Sequence, residues 1–468
     1  MLSVDDIRGM LALTGWWSKP RSWVLGDRDL RQAARAPFDY SANVLDDLRP
    51  GGLYLLRGPR RVGKSVEVKK TIKRLIGEGR DPRCIVHFAA DGLSAADLRR
   101  IARVTDELTP PDGRRFWFFD EITSIADGWP AAIKWLRDND SRFGDDMVVL
   151  TGSSAADLGE AVRALAGRRG GVPDPDRVLL PMSFRAFVRA RSDIDLPEDI
   201  RPLAVADLTP SVLRERVRAL APWLNQLVEQ WDAYIRVGGF PQAVSAAAAG
   251  DDSSGELCRD LFQVIHGEAF ARAAWSQAQS AAFTTRLAKG LASPTNRHDI
   301  ATDLGTSRQS IGRRIAALRE AFVVWPCYPE RSLRPALRSQ EKTYFADPVY
   351  ARLFPQAVPP DPGPMSEQQL GVVLVRSFLR EDPASYLNFD SVLYHRTGGR
   401  REIDFVGPAF GDLAVESKYV DGERWTRGAG VIRGSKWRGL VATRRALDTR
   451  DPDLIALPTG MLAWLIGG

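Results

Sequence analysis

Cysteine and histidine are the scarce residues of this chain, with three cysteines and four histidines among 468 positions. Cys84, Cys258 and Cys327 stand far apart and show no Cys-x-x-Cys spacing, which excludes a disulfide framework and a cysteine zinc site and predicts reduced thiols. The histidines scatter as widely. Also missing is any run near the roughly 20 apolar residues that a membrane helix needs. The start, Met1-Leu2-Ser3-Val4-Asp5-Asp6, has neither the basic nor the apolar block of a secretory leader. These absences predict a cytoplasmic protein with no membrane partner. Neither sign of charge dominates: the net charge of +6 permits a polyanionic partner without demanding one.

What is present is ordinary for a globular chain, 44% hydrophobic and 26% charged, and long enough for about three domains. Its most informative stretch is Gly58-Pro59-Arg60-Arg61-Val62-Gly63-Lys64-Ser65. The apolar run Leu53-Tyr54-Leu55-Leu56 precedes it, and Val66 opens a segment whose apolar residues recur at helical spacing. Strand, glycine-rich loop and helix in that order are the context the G-x-x-x-x-G-K-[ST] phosphate loop requires. In such a loop, residues 58 to 66 wrap backbone N–H groups around phosphate oxygens of ATP. Lys64 reaches the β- and γ-phosphates, and the Ser65 hydroxyl ligates Mg²⁺.

Short apolar runs then alternate with helical segments: Cys84 to Phe88, Phe116-Trp117-Phe118-Phe119, and Met147 to Leu150. That alternation predicts a parallel sheet covered on both faces. The second run ends in Asp120-Glu121, which puts the first acid beside the Mg²⁺ and the second where it can orient a water. The third ends in Thr151-Gly152-Ser153-Ser154. Ser153 is the candidate sensor of the γ-phosphate, and Ser153 or Ser154 is equally suited to cap a helix starting at Ala155. In Gly167-Arg168-Arg169-Gly170, either arginine has the setting of a finger reaching a nucleotide across a subunit boundary, or of a basic surface turn. The tryptophans Trp16, Trp17 and Trp23 read as a staple for an N-terminal helix rather than a surface that stacks on bases.

These motifs, with Phe119-Asp120-Glu121-Ile122 and Leu180-Pro181-Met182-Ser183-Phe184-Arg185, resemble the prokaryotic AAA-type ATPases. More narrowly they are similar to the archaeal and bacterial group whose ATPase module precedes a carboxy-terminal region long labelled as of unknown function. Gly238-Gly239-Phe240-Pro241 and later strand motifs fit the same group. The resemblance implies the ATPase fold, a helical lid, and homo-oligomers with sites at subunit boundaries, a hexameric ring being the expectation. The sensor position lacks the Asn of typical members.

Further on, Arg297 to Gly305 reads as a helix ended by glycine, and Thr306 to Leu318 as a second helix with a polar, basic outward face. This is a helix-turn-helix pattern, with Arg308, Gln309, Arg313 and Arg314 as candidate DNA contacts; such pairs also serve as packing modules. The stretch from about 327 to 365 is arginine-rich and then proline-rich; its latter part reads as a linker, and before that Tyr344-Phe345-Ala346-Asp347-Pro348 is similar to a strand and turn of the same group. Beyond it, Glu367 opens a helical segment, and Asp404 and Glu416-Ser417-Lys418 fall on two alternating strands, with Glu416 and Lys418 on one face. Carboxylates so placed can hold Mg²⁺ while the lysine positions water for phosphodiester attack. The residues resemble the PD-(D/E)xK nuclease core, with Ser417 where an apolar residue is usual; an active nuclease and a silent, DNA-holding version both remain open. Arg424, Trp425, Arg427, Arg433, Lys436, Trp437 and Arg438 interleave cations with aromatics, a pattern suited to phosphate contact and stacking.

The expected fold class is α/β: a P-loop parallel-sheet ATPase domain with a helical lid, then a winged helix-turn-helix and a restriction-endonuclease-like α/β domain. The expected divisions are a helical preamble (1–50), ATPase core (51–184), lid (185–279), winged helix-turn-helix (280–330), linker (331–365) and nuclease-like domain (366–468). The function that uses every feature is an ATP-hydrolysing motor on duplex or branched DNA. The alternatives are an ATP-regulated nuclease of a defence or mobile-element system and a non-motor nucleotide switch.

Overall fold

The computed structural model describes residues 1–467 apart from 154–160, 192–193, 195, 198–199, 252–253, 272–273, 354–360, 380–384 and 398–400. The side chains of residues 385, 423 and 427 also lie outside the description. The chain forms two compact units, Met1–Leu180 and Pro181–Gly468. No helix among the described residues is long and apolar enough to cross a membrane.

The amino-terminal unit is built on five parallel strands, β1 (Leu53–Arg57), β2 (Ile85–Ala89), β3 (Phe116–Asp120), β4 (Met147–Gly152) and β5 (Asp176–Val178), in the order β2-β3-β4-β1-β5. Strands β1, β3 and β4 are buried along their whole length, the consequence of near-continuous apolar runs. One face contributes Leu53, Leu55, Trp117, Phe119, Val148 and Leu150 to a core closed by Leu98 and Ile101 of one helix and Ile133 and Leu136 of another. The helix after the glycine-rich loop, α1 (Lys64–Gly77), buries Val68, Ile72 and Leu75 at helical spacing.

Two devices fix this unit at its ends. Trp16 and Trp17 both donate their indole N–H to the Ile85 carbonyl, at 2.9 and 3.0 Å, and Trp16 meets Trp23 edge to face. They staple the preamble to edge strand β2. At the start of β3, buried Arg115 donates from Nε and backbone N–H to Asp146, which also accepts from the Trp117 indole. That network aligns β3 with β4, so Phe119 pairs with Leu150 and the residues after each strand end side by side.

The carboxy-terminal unit differs from the expected partition, because lid, helix pair, linker and last domain close on one another. Helices α2 (Leu224–Val237), α3 (Arg297–Asp303) and α4 (Arg308–Glu320) lead to β6 (Val324–Cys327), a hairpin of β7 (Glu330–Arg331) and β8 (Arg334–Pro335), and β9 (Lys342–Phe345), which pairs antiparallel with β6. Residues 331–353 are therefore no linker: Lys342, Thr343, Tyr344 and Phe345 are all buried. Pro355, Pro359 and Pro360 lie outside the described residues. Pro362 and Pro364 belong to the first turn of α5 (Pro362–Phe378), where proline fits because those N–H groups have no helical acceptor. A second sheet follows in the order β10-β11-β12-β13-β14: β10 (Leu393–Arg396), β11 (Glu402–Val406), β12 (Leu413–Lys418), β13 (Arg438–Thr443) and β14 (Leu454–Pro458). Its first two pairings are antiparallel and its last two parallel. The apolar closing helix, α6 (Thr459–Ile466), is buried throughout.

Candidate functional site

The phosphate loop links the end of β1 to the start of α1. Gly58 sits at φ +152°, and a Cβ there would lie 2.1 Å from the Leu179 carbonyl oxygen, so only glycine passes. Gly63 takes φ +105°, and Arg61, without glycine's freedom, is held at φ +61°. Between them Pro59, Arg60 and buried Val62 carry the turn, and Ser65 and Val66 fall in the first turn of α1, whose N–H groups have no helical acceptor. Lys64 is 6% exposed, and its ammonium donates to the Gly58 and Pro59 carbonyls at 3.0 and 3.1 Å. A buried cation closed over a glycine cradle suits a polyphosphate, which would give that ammonium better acceptors than two carbonyls.

Facing the loop, Asp120 ends β3 and accepts from the Thr151 hydroxyl, which in turn accepts the Glu121 N–H at 2.9 Å. Glu121 is in the left-handed region at φ +54°. Its Oε1 accepts from the Ser153 hydroxyl at 2.5 Å and from the Ser153 N–H at 3.1 Å, with the Arg60 guanidinium 3.9 Å away. Ser153 thus holds the second acid as well as standing at the expected sensor position. Ser154 lies outside the described residues. Asp120 and Ser65 supply the hard oxygen donors that suit Mg²⁺, and Glu121 is a carboxylate that can orient water.

The two arginines of the Gly167–Gly170 turn part company. A Cβ on Gly170 would lie 2.0 Å from the Gly51 carbonyl oxygen, and the Leu53 N–H donates to the Arg169 carbonyl. The turn therefore sits at the amino-terminal edge of the sheet, opposite the phosphate loop. Arg169 is 12% exposed and donates to Leu53 O, Pro175 O and Asp176, tying β5 to β1. The finger role does not suit it, because all its donors face into the fold. Arg168 is 36% exposed and pairs with Asp138 across the surface.

In the carboxy-terminal unit the structure brings together Glu367 of α5, Asp404 of β11, and Glu416 and Lys418 of β12. The Ser417 N–H donates to Asp404 at 2.9 Å, the Asp404 N–H to Glu416 at 3.2 Å, and Lys418 reaches Glu416 at 2.5 Å. Lys342 enters from β9 and lies 2.9 Å from Glu367 and 3.1 Å from Asp404, and the Tyr344 hydroxyl donates to Glu367 at 2.6 Å. Burial and then the Asp404 charge push Glu367 and Glu416 above the usual carboxylate range.

On the helix pair, Arg308, Gln309 and Arg313 are exposed. Arg314 is not available in the same way: its guanidinium donates to the Ala269 carbonyl at 2.6 Å, so it packs the helix rather than facing outward. The basic stretch near the end is also corrected. Trp425 and Trp437 are 6% and 8% exposed and belong to the core under β10 to β13, so neither ring is a stacking surface. Arg433 pairs with Asp451 and Arg438 with the Leu208 carbonyl; the Arg427 side chain lies outside the description.

The AAA domain family matches residues 51–188. The amino-terminal half carries an AAA-type P-loop ATPase domain. A second family, described as a domain of unknown function, matches residues 228–352. No curated protein matches the chain. Among solved structures, the Walker-type ATPase of Pyrococcus abyssi is 14% identical, with 70% of this chain and 93% of that chain covered and a TM-score of 0.37. A variant of RuvB from Thermotoga maritima is 12% identical (63% and 87% covered, TM-score 0.26), and Cdc6p from Pyrobaculum aerophilum 13% identical (67% and 88%, 0.26). Scores this low carry no argument.

Sequence reasoning missed the roles of four residues around these sites. Thr151, which bridges Asp120 and the Glu121 backbone, was visible only as part of a small polar stretch. Arg60 was one loop residue among eight. Lys342 gave no signal, and Tyr344 was legible only as the start of a strand and turn; both meet their acids only through β9.

Proposed function

We propose that the chain is an ATP-hydrolysing motor that binds DNA and works as a homo-oligomer, a hexameric ring. The observation that carries this reading is the two-edged ATPase domain: loop and acid pair at one edge of the sheet, half-exposed Arg168 at the other. An arginine there serves only a neighbour's nucleotide, which makes assembly part of the active site. Residues 58 to 66 bind the phosphates of ATP, and Ser65 and Asp120 are the residues to hold Mg²⁺, which supplies charge stabilisation on the β- and γ-oxygens when bound. Glu121, held by Ser153, orients the attacking water; Lys64 and Arg168 balance the charge that develops in transfer. The exposed Arg308, Gln309 and Arg313 at the start of α4, with β6 to β9 as the wing, support a duplex or branched DNA partner for the winged helix.

The test is the steady-state ATPase rate with Mg²⁺, with and without single-stranded, duplex and four-way-junction DNA, with the Lys64→Ala protein measured alongside as the blank. Stimulation by one DNA form is the expected result. No stimulation by any of them would leave a nucleotide switch as the function and the helix pair as a protein-binding surface.

A second reading, an ATP-regulated nuclease, is favoured by the meeting of Glu367, Asp404, Glu416 and Lys418 at one place on the mixed second sheet and α5. It requires DNA cleavage with Mg²⁺ or Mn²⁺ that Asp404→Ala abolishes.

A further inference from the structure

The acid cluster of the carboxy-terminal unit already contains a cation. We infer that the Lys342 ammonium occupies the place a divalent ion would take between Glu367 and Asp404, so that the cluster is a self-neutralised ion-pair core that takes up no metal and cuts no phosphodiester. Removing that ammonium opens a metal site.

Four observations carry this. Lys342 is 1% exposed, and its Nζ lies 2.9 Å from Glu367 Oε1, 3.1 Å from Asp404 Oδ1 and 3.6 Å from Glu402 Oε2. One charged group therefore touches the helix acid and the strand acid together, the arrangement that bridging Mg²⁺ has in a hydrolytic carboxylate site. The second Asp404 oxygen and both Glu416 oxygens are engaged as well. Asp404 Oδ2 accepts the Ser417 N–H, Glu416 Oε2 accepts the Asp404 N–H, and Glu416 Oε1 takes the Lys418 ammonium. Strand β9 presents Lys342 and Tyr344 on one face by its period of two, and Tyr344 fixes the same Glu367 oxygen that Lys342 touches. Finally, among the described residues no three acidic, histidine or cysteine side chains are grouped to hold a metal ion. A divalent ion entering here would have to displace a buried ammonium held by two carboxylates, against like-charge repulsion at short range.

The inference stands apart from the motor reading, which rests on the amino-terminal unit, and it decides against the nuclease reading. The experiment is a Mn²⁺ titration followed by electron paramagnetic resonance on the nucleotide-free full chain. Parent and Asp404→Asn are expected to titrate alike. Lys342→Ala, or Lys342→Gln if the alanine variant does not fold, is expected to gain a further bound manganese that adding Asp404→Asn removes. A manganese bound by the parent and lost in Asp404→Asn would overturn the inference. So would a folded Lys342 variant that gains none. Should neither variant fold, the comparison of parent with Asp404→Asn decides alone.

Discussion

Alanine at Arg168 and at Arg169 should give opposite phenotypes, although the residues are adjacent. Arg169 is nearly buried and feeds two carbonyls and the Asp176 carboxylate, so Arg169→Ala leaves Asp176 with Arg57 as its charged partner and loosens the β5 edge. Loss of these charge-assisted hydrogen bonds costs about 2 kcal/mol, which for a unit of this size lowers the unfolding temperature by roughly 4–8 °C. Arg168 pairs with a carboxylate out in water, where screening leaves little to lose, so Arg168→Ala should melt with the parent. Its hydrolysis rate should nevertheless fall by on the order of 10³, the lower end of what a trans-acting arginine contributes. Differential scanning fluorimetry and steady-state ATPase assays read the two effects separately. A mixing experiment reads the geometry: Arg168→Ala chains lack the finger but keep the loop, and Lys64→Ala chains lack the loop lysine but keep the finger. Combined in one assembly, they should regain part of the activity neither shows alone. Parental hydrolysis by Arg168→Ala, or no recovery on mixing, would refute a finger acting between subunits. A stable, inactive Arg169→Ala would mean that the roles are reversed.

Three other outcomes are expected. Glu121→Gln keeps an acceptor for Ser153 but loses the charge that orients water, so hydrolysis should drop about 10²-fold or more while ATP stays bound through gel filtration; turnover at the parental rate would remove Glu121 from the chemistry. Gly58→Ala drives a Cβ to 2.1 Å from a backbone oxygen, so the loop must open, and binding of a fluorescent ATP analogue should be lost; retained affinity would contradict the cradle geometry. Burial, with help from the Lys69 charge, pushes His87 down from 6.5 to about 4. The unfolded chain takes up a proton near 6.5 that the folded one refuses, so the amino-terminal unit should lose stability as pH falls from about 6.5 to about 4, and His87→Gln should flatten that slope in thermal melts.

The parts of this protein that were legible in the sequence are those specified by near neighbours in the chain. Continuous apolar strands announced the parallel sheet, and the loop between β1 and α1 announced itself by glycine spacing. Helices α3 and α4 could be read because Asn296 and Ser307 cap them and Gly305, at φ +59°, separates them. Partners far apart in sequence were not legible. Arg169 and Arg314 look like exposed cations in any window, and only the fold reveals the carbonyls that consume them. Trp425 and Trp437 sit among arginines, yet the core beneath the second sheet takes both rings. The segment 331–353 misleads most, since charge and proline mask short strands that are buried by contacts from other elements.

Those short strands bear on how force would travel. The Tyr394 N–H donates to the Tyr328 carbonyl, Lys342 grips Asp404, and the Phe345 N–H donates to the Gln368 side chain, so the stretch after α4 is laced into both α5 and the second sheet. A slack tether would let the helix pair tilt while the sheet stayed behind. A laced strap ties the two together, and a pull applied at the exposed end of α4 would be passed on to α5 and the second sheet.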